Sequence, residues 1–283
     1  NLSQLNLVSV NSNPFNSIGR KIIFTLTNPK SINLAISSFS NIKEKVSLKK
    51  LLQSIDDKNI FNGKIKYVDH HKSHIKSSLL FSEFDESVNI SLDGFGDFSS
   101  CAWGVYKNGR STIEDRVYFP HSLGIFYQAI TQFLGFNKYG DEYKVMGLAS
   151  YGKPIYLDQF EKIISFSENN YFNLNLDYFK HHTDINFKYS FPDGIPNFTD
   201  LYSSKLVNLL GEERNKENEI NDHHKNVAAS MQKCFENLVI KVLNKIYEEN
   251  PIDNLCLAGG CALNSKLNGI LKKKTKFKNI FIQ

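Results

Sequence analysis

The sequence predicts an α/β domain with a mixed β-sheet. Short apolar runs of strand length alternate with stretches whose apolar residues recur at helical spacing. Asn108-Gly109 directly follows one of the apolar runs, which predicts a tight two-residue turn and therefore a hairpin. Strands and helices that alternate around a hairpin are typical of an α/β fold.

Each element has its own local signal. A helix is expected after the N-cap Ser122, where apolar residues recur at helical spacing up to Leu134. A second helix is predicted from about Asp222 to Glu249, and a third after Gly259-Gly260. Residues 156–219 are less regular, which indicates an insertion or a lid. Strands are predicted at 5–10, 65–68, 88–92, 101–106, 254–258 and 279–282.

Composition limits the classes of function. The chain has 283 residues, of which 41% are hydrophobic and 22% charged, as in soluble globular proteins. Its net charge is +5, but the lysines are scattered and the run at 272–278 lacks aromatic neighbours, so we expect no nucleic-acid partner. No apolar stretch is long enough to span a bilayer. The four cysteines lack metal spacing, which favours free thiols and a cytoplasmic location.

The first chemical motif is 69–74, DHHKSH, which directly follows a predicted strand. If Asp69 caps a helix, His70 and His74 lie one turn apart on the same face, a spacing that lets two imidazoles bind one divalent metal. His71 points about 100° away and is not expected to join them. An exposed histidine pair without a metal is the alternative.

Two glycine-bearing bends provide further candidates. Asp93-Gly94-Phe95-Gly96-Asp97 lies between two strands, and its glycines let the backbone approach a phosphate while the carboxylates hold a metal or orient a nucleophile. An ordinary hairpin turn is the alternative. In LAGGCALN a strand leads through Gly259-Gly260 into a helix, where an anion is favoured and Asn264 is within reach of a ribose hydroxyl. A tight turn without a ligand remains the alternative there.

The motifs occur in a characteristic order: HHKSH, DGFGD, SLGIFYQAITQFLGF, GDEYKVMGLASYG, NVAASMQ and LAGGCALN. This succession resembles the carbamoyltransferase family that includes nodulation protein U and the cephalosporin and tobramycin O-carbamoyltransferases. The similarity covers 65–283 apart from 156–219, and GDEYKVMGLASYG is its most specific part. The resemblance implies an actin-like, sugar-kinase-like (ribonuclease H-type) nucleotide-binding fold.

The resemblance also implies a reaction. In full-length relatives a YrdC-like domain makes carbamoyl adenylate from carbamoyl phosphate and ATP. The actin-like domain then transfers the carbamoyl group to a hydroxyl of a small-molecule or sugar acceptor. On this sequence the resemblance implies that His70 and His74 are metal ligands, with iron(II) as the expected metal. It implies that the nucleotide or carbamoyl adenylate is bound by Gly94, Gly96, Asp97, Glu142, Lys144, Gly259, Gly260 and Asn264. Asp93 matches the same phosphate-side loop, and we add it as the candidate base for the proton of the acceptor hydroxyl.

Both ends of the chain are expected to be cut. The sequence begins at Asn1 without a Met and stops at Gln283 inside a strand-like run. In the family this strand is followed by a loop with the third, carboxylate metal ligand and then by the YrdC-like domain. We therefore expect residues 1–283 to be an incomplete actin-like domain that has no carbamoyltransferase activity by itself.

Three other functions fit parts of the pattern. A sugar kinase of the same fold needs phosphate loops and an Asp base but no histidine pair. A non-catalytic actin-like scaffold would bind nucleotide without group transfer. A tRNA-modifying relative fits less well, because GDEYKVMGLASYG belongs to the small-molecule enzymes. The sequence leaves open the acceptor and the oligomeric state, including a homodimer.

Overall fold

The computed structural model describes residues 2–31, 48–55, 61–183, 189–190 and 197–283. Part of the predicted insertion, 156–219, therefore lies outside the described residues. All six predicted strands form, with bounds that differ by at most four residues, because each apolar run is bounded by turn residues. The other strands were not predicted individually, and the described part of the chain has twelve in all. They are β1 (Leu7–Val10), β2 (Lys64–Tyr67), β3 (Ser87–Gly96), β4 (Ser99–Lys107), β5 (Arg110–Ser111), β6 (Asp115–Tyr118), β7 (Ile164–Ser167), β8 (Tyr171–Leu174), β9 (Tyr189–Ser190), β10 (Asn197–Phe198), β11 (Asn254–Ala258) and β12 (Asn279–Ile282).

The central sheet is mixed, as predicted. Its strand order is β12-β11-β3-β4-β5, and β6 also pairs with β4. Strand β11 runs parallel to both β3 and β12, whereas β4 is antiparallel to β3, β5 and β6. A separate pair, β1 and β2, is parallel. The hairpin predicted at Asn108-Gly109 joins β4 to β5, and both residues have the positive φ that such turns require.

Nine α-helices surround these strands in the described part of the chain. The predicted 222–249 helix has the predicted bounds, and a reciprocal capping box between Asn221 and His224 fixes its start. Ser122 caps its helix by accepting a hydrogen bond from the Ile125 N–H. The helices are α1 (Ile18–Thr27), α2 (Leu48–Ile55), α3 (His70–Ser82), α4 (Leu123–Phe133), α5 (Glu142–Leu148), α6 (Leu157–Ile163), α7 (Ser204–Leu210), α8 (Asp222–Glu249) and α9 (Ser265–Lys274).

The core lies between the central sheet and helices α4 and α8. Phe126, Phe133 and Phe235 are fully or almost fully buried there. Phe160 on α6 and Phe172 on β8 join the same core, so this part of 156–219 packs in the body of the domain. Among the described helices, none combines the length and the apolar character that crossing a membrane requires.

Candidate functional site

The histidine motif forms the first turn of α3. Asp69 caps this helix, because its carboxylate accepts a hydrogen bond of 2.7 Å from the Lys72 N–H. His70 and His74 lie on one face with ring centroids 4.7 Å apart. His71 points the other way, into the core, where its ring nitrogens contact Ser91 Oγ and the Ser99 carbonyl. Burial lowers the pKa of His71 to about 4, so this ring stays neutral. The predicted arrangement of the three rings is confirmed.

Asp93 brings a carboxylate to the same place. Its Oδ2 lies 2.9 Å from His70 Nε2 and 3.0 Å from His74 Nε2, while Oδ1 accepts a hydrogen bond from the Gly94 N–H. The three ligand atoms lie within 4.8 Å of one another. They form the one group of three or more His, Cys, Asp or Glu side chains with metal-binding spacing found among the described residues.

Electrostatics couple these groups. Burial alone would raise the pKa of Asp93, but the hydrogen bonds with His70 and His74 outweigh it and hold that pKa well below the usual range. Burial likewise opposes protonation of His70, yet the hydrogen bond to Asp93 and its charge raise the pKa of that ring. The carboxylate therefore stays ionised and attracts a cation to the two imidazoles.

The donors fit a divalent transition metal. His70 Nδ1 lies 3.3 Å from the carbonyl oxygen of Asn11, which only accepts hydrogen bonds, so Nδ1 carries a hydrogen. In the neutral ring Nε2 then carries a lone pair that faces the Asp93 oxygen, and a divalent ion bound by both atoms would satisfy them, as the proton of a charged ring does without metal. Two imidazoles and one carboxylate are the ligand set of many iron(II) sites with open positions. The family resemblance implies a carboxylate ligand beyond Gln283, and Asp93 is a further candidate carboxylate within the chain.

A cavity of about 340 Å³ adjoins the centre and includes Asp93 in its wall. The loop of the predicted adenosine side is close to the centre, because a Cβ atom at Gly260 would lie 3.0 Å from Asp93 Oδ1. The two bends and the histidine pair therefore converge. Of the predicted site residues, those that line the cavity are Asp93, Gly94, Glu142, Gly260 and Asn264.

The other predicted residues have different surroundings. Gly96 packs against the His70 ring. Gly259 has a φ of +94°, and a Cβ atom there would overlap the Leu92 carbonyl oxygen. Lys144 forms an ion pair of 2.6 Å with Asp141 instead of facing the cavity.

Asp97 also lies outside the cavity wall. Its carboxylate accepts hydrogen bonds from Ser12 Oγ and from the main-chain N–H groups of Asn13 and His70. The Asp97 carboxylate therefore binds groups of the protein itself, whereas the sequence predicted that it lies beside the nucleotide phosphate.

Asn264 lines the cavity, but its side chain already has partners. It caps α9 by accepting from the Leu267 N–H, and it exchanges two hydrogen bonds of 2.9 Å with the amide of Gln232. Gln232 in turn accepts from the Tyr127 hydroxyl and donates to Glu236. This buried network anchors the Gly-Gly bend to α8. The motifs SLGIFYQ and NVAASMQ contain Tyr127 and Gln232, yet nothing in their spacing predicted the contact.

Glu142 is the other acidic residue on the cavity wall. Burial raises the pKa of its carboxyl group above the usual value. Sequence reasoning did not identify the aromatic part of the wall. These residues are Tyr127, Tyr139, Tyr143 and Phe235.

Comparisons with known proteins identify relatives of this chain. The chain is 33% identical to protein sll1178 of Synechocystis sp., with 90% of this chain and 40% of the relative covered. It is 32% identical to nodulation protein NolNO of Sinorhizobium fredii (84% and 32% covered) and 32% identical to nodulation protein NolO of Bradyrhizobium diazoefficiens (76% and 35%). The chain thus spans well under half the length of these relatives.

A crystal structure of T. kodakarensis HypF aligns with a TM-score of 0.37 and 12% identity, over 82% of this chain and 35% of that one, too weakly to support an argument. The family described as "Carbamoyltransferase N-terminus" matches residues 25–283. The chain therefore belongs to the carbamoyltransferase family, a family of transferase enzymes.

Proposed function

We propose that this chain forms the part of an O-carbamoyltransferase that transfers a carbamoyl group from carbamoyl adenylate to a hydroxyl of a small-molecule or sugar acceptor. The adenylate is made from carbamoyl phosphate and ATP. One observation carries the proposal: Asp93, which forms a donor set with His70 and His74, also lines a cavity large enough for a small ligand.

The strand order supports the finer fold assignment. Strand β4 lies antiparallel to β3 and β6, while β11 and β12 continue the sheet in parallel on the other side of β3. A ribonuclease H-type, actin-like domain requires three antiparallel strands followed by two parallel ones. Here the three are β3, β4 and β6, and the two are β11, which follows helix α8, and β12, which follows helix α9. We infer that fold for this chain.

The metal would be held by His70, His74 and Asp93. Their spacing and the hydrogen on His70 Nδ1 favour a divalent ion such as iron(II). Such an ion, when bound, acts as a Lewis acid towards the carbamoyl carbonyl.

The cavity wall offers the contacts that an adenylate needs. Nothing lies within 4 Å of a Cβ position at Gly94, so its backbone is open to a phosphate. Tyr139 and Tyr143 are more than half exposed on the same wall and offer aromatic faces for a base to stack on. Gly260 lets the ligand approach the Asp93 side of the cavity.

Proton transfer is better suited to Glu142 than to Asp93. Both Asp93 oxygens are engaged and its pKa is depressed, so it is a weak base and a good ligand. Glu142 has a raised pKa and lies on the cavity wall. In the proposed step the acceptor oxygen attacks the carbamoyl carbon, the carbamoyl–phosphate bond breaks, AMP leaves, and Glu142 takes the hydroxyl proton.

Two titrations of the 283-residue chain test the proposal. Binding of Co²⁺ is measured by its visible absorption, and binding of AMP is measured by calorimetry. We expect one Co²⁺ per chain, lost in His74→Ala, and AMP binding that Tyr143→Ala weakens. Tyr151→Ala is the control, since Tyr151 is also an exposed tyrosine (78%, against 65% for Tyr143) but does not line the cavity. Absence of histidine-dependent Co²⁺ binding, or of AMP binding, would refute the proposal.

The sugar-kinase alternative predicts a different result. Such an enzyme would transfer the γ-phosphate of ATP to a sugar hydroxyl, and His74→Ala would leave this transfer intact. Transfer of ³²P from labelled ATP to a panel of sugars, measured with and without that substitution, distinguishes the two functions. The four free cysteines additionally support the proposal of a reducing, cytoplasmic location.

A further inference from the structure

The segment after β1 lies against the N-terminus of α3. Several of its contacts reach residues at or beside the candidate metal centre. The Asn11 carbonyl faces His70 Nδ1, and Asn16 Nδ2 donates to the Asp69 carboxylate. Between them, the Ser12 hydroxyl and the Asn13 N–H both donate to Asp97 at 2.9 Å.

Asp97 connects this segment to the helix. Its Oδ2 accepts a hydrogen bond of 2.9 Å from the His70 main-chain N–H, one of the donors that a helix start leaves without an intrahelical partner. One carboxylate thus joins three parts of the chain: the segment after β1, the first residue of α3 and the β3–β4 turn. Asp97 lies in the turn and contacts both of the other parts.

The turn that carries Asp97 is strained. Asp97 and Phe98 have φ values of +53° and +71°, and left-handed geometry is uncommon for a bulky residue such as phenylalanine. The Phe98 ring stacks on Phe119 with centroids 5.3 Å apart, which helps to hold this geometry. Strained turns persist where their surroundings impose them, and they concentrate at functional sites.

We propose that Asp97 is a positioning residue for the metal centre. By holding Ser12 and Asn13 at the start of α3, it keeps the Asn11 carbonyl against His70 Nδ1. That contact keeps the hydrogen on Nδ1 and leaves Nε2 free for a metal. The inference rests on the proposed metal site and adds a residue outside its ligands.

The local chemistry explains why such positioning is needed. His70 Nε2 lies 2.9 Å from the anionic Oδ2 of Asp93, which is a strong acceptor. Without the Asn11 contact, the neutral ring would place its hydrogen on Nε2 and donate it to Asp93. That tautomer blocks both ligand atoms at once. Hydrogen-bond partners behind metal ligands commonly change metal affinity by about 10–100-fold.

Asp97→Asn tests the role with little steric change. Asparagine has nearly the same size and tolerates a positive φ, but its amide nitrogen cannot accept from the Asn13 or His70 N–H. We expect Co²⁺ affinity to fall by about 10–100-fold with one ion still bound at saturation. In the metal-free chain labelled with ¹⁵N-histidine, we expect the neutral His70 signal to shift from the Nδ1–H towards the Nε2–H tautomer.

The outcomes separate the two proposals. If the unsubstituted chain binds no Co²⁺ that depends on His70, the metal site itself is wrong. If it binds Co²⁺ but Asp97→Asn binds equally well with an unchanged His70 tautomer, only the inference about Asp97 is overturned. If circular dichroism shows that Asp97→Asn is unfolded, the Ser12→Ala variant tests the inference instead, because it removes one hydrogen bond to Asp97. We expect it to weaken Co²⁺ binding in the same direction, and unchanged affinity would overturn the inference.

Discussion

Gly96 packs so closely against His70 that a side chain at residue 96 would overlap the imidazole ring. The absence of a Cβ atom at the end of β3 therefore sets the position of a candidate metal ligand. The sequence assigned Gly96 to a phosphate loop, but the structure connects it with the metal centre instead.

Gly96→Ala should displace the His70 ring and weaken metal binding. We expect a loss of about tenfold or more in Co²⁺ affinity, the range seen when the support of a ligand is disturbed. Gly94→Ala is the matched control, since a Cβ atom there meets nothing within 4 Å. It should retain Co²⁺ affinity and impair AMP binding. Equal Co²⁺ affinities for the two variants would contradict this role of Gly96.

The Asp93–His70 pair should give the metal-free chain a pH-dependent stability. The depressed pKa of Asp93 stabilises the fold above the usual carboxyl pKa of about 4, and this contribution declines at lower pH. The raised pKa of His70 stabilises the fold below about 6.5, and this contribution is lost as pH rises through the folded value. The pair is therefore most stabilising between these limits.

This effect can be measured by thermal unfolding from pH 4 to 9 in the presence of EDTA. The melting temperature of the unsubstituted chain is compared with that of the Asp93→Asn variant at each pH. The difference between the two melting temperatures should be largest near pH 5–6 and should shrink above about pH 7, given the usual histidine pKa. A difference that stays constant from pH 5 to 9 would show that the pair does not titrate in this way.

Asn264 should matter mainly for stability. Asn264→Ala removes a helix cap, which costs about 1 kcal/mol. It also removes two hydrogen bonds of the buried Gln232 amide, which keeps its contacts with Tyr127 and Glu236, at a cost of about 1–3 kcal/mol more. Asn264→Ser retains a capping oxygen and should lose only the second contribution. Urea unfolding measures both. If Asn264→Ser is as stable as the unsubstituted chain but no longer binds AMP, the predicted ribose contact is correct after all.

The thiols should be unreactive in the folded chain. Burial raises the pKa of Cys101 and of Cys234 to about 12, and it also raises the pKa of Cys256 and Cys261. We expect negligible reaction of Cys101, Cys234 and Cys256 with Ellman's reagent at pH 8, and reaction of all four in urea. Cys261 lines the cavity and should react slowly. Rapid modification of more than one thiol in the folded state would contradict the buried core.

Local patterns determined much of the fold. Strands β11 and β12 and helix α8 lie where the sequence predicted them, because apolar periodicity and capping act between residues close in the chain. The Asp69 cap and the spacing of His70 and His74 are local too, so the sequence alone predicted two imidazoles on one helical face. The order of the motifs indicated the family.

Tertiary structure decided how these parts meet. Asp93 is separated from His70 by 23 residues, Gln232 from Asn264 by 32, and Asp97 from Ser12 by 85. No local periodicity encodes such contacts, because they depend on which strands pair and how the helices pack across them. The sequence by itself determined that carboxylates, glycines and histidines with suitable chemistry were present. Only the folded sheet placed the Asp93 oxygen between two imidazoles and turned Asp97 and Asn264 towards protein partners.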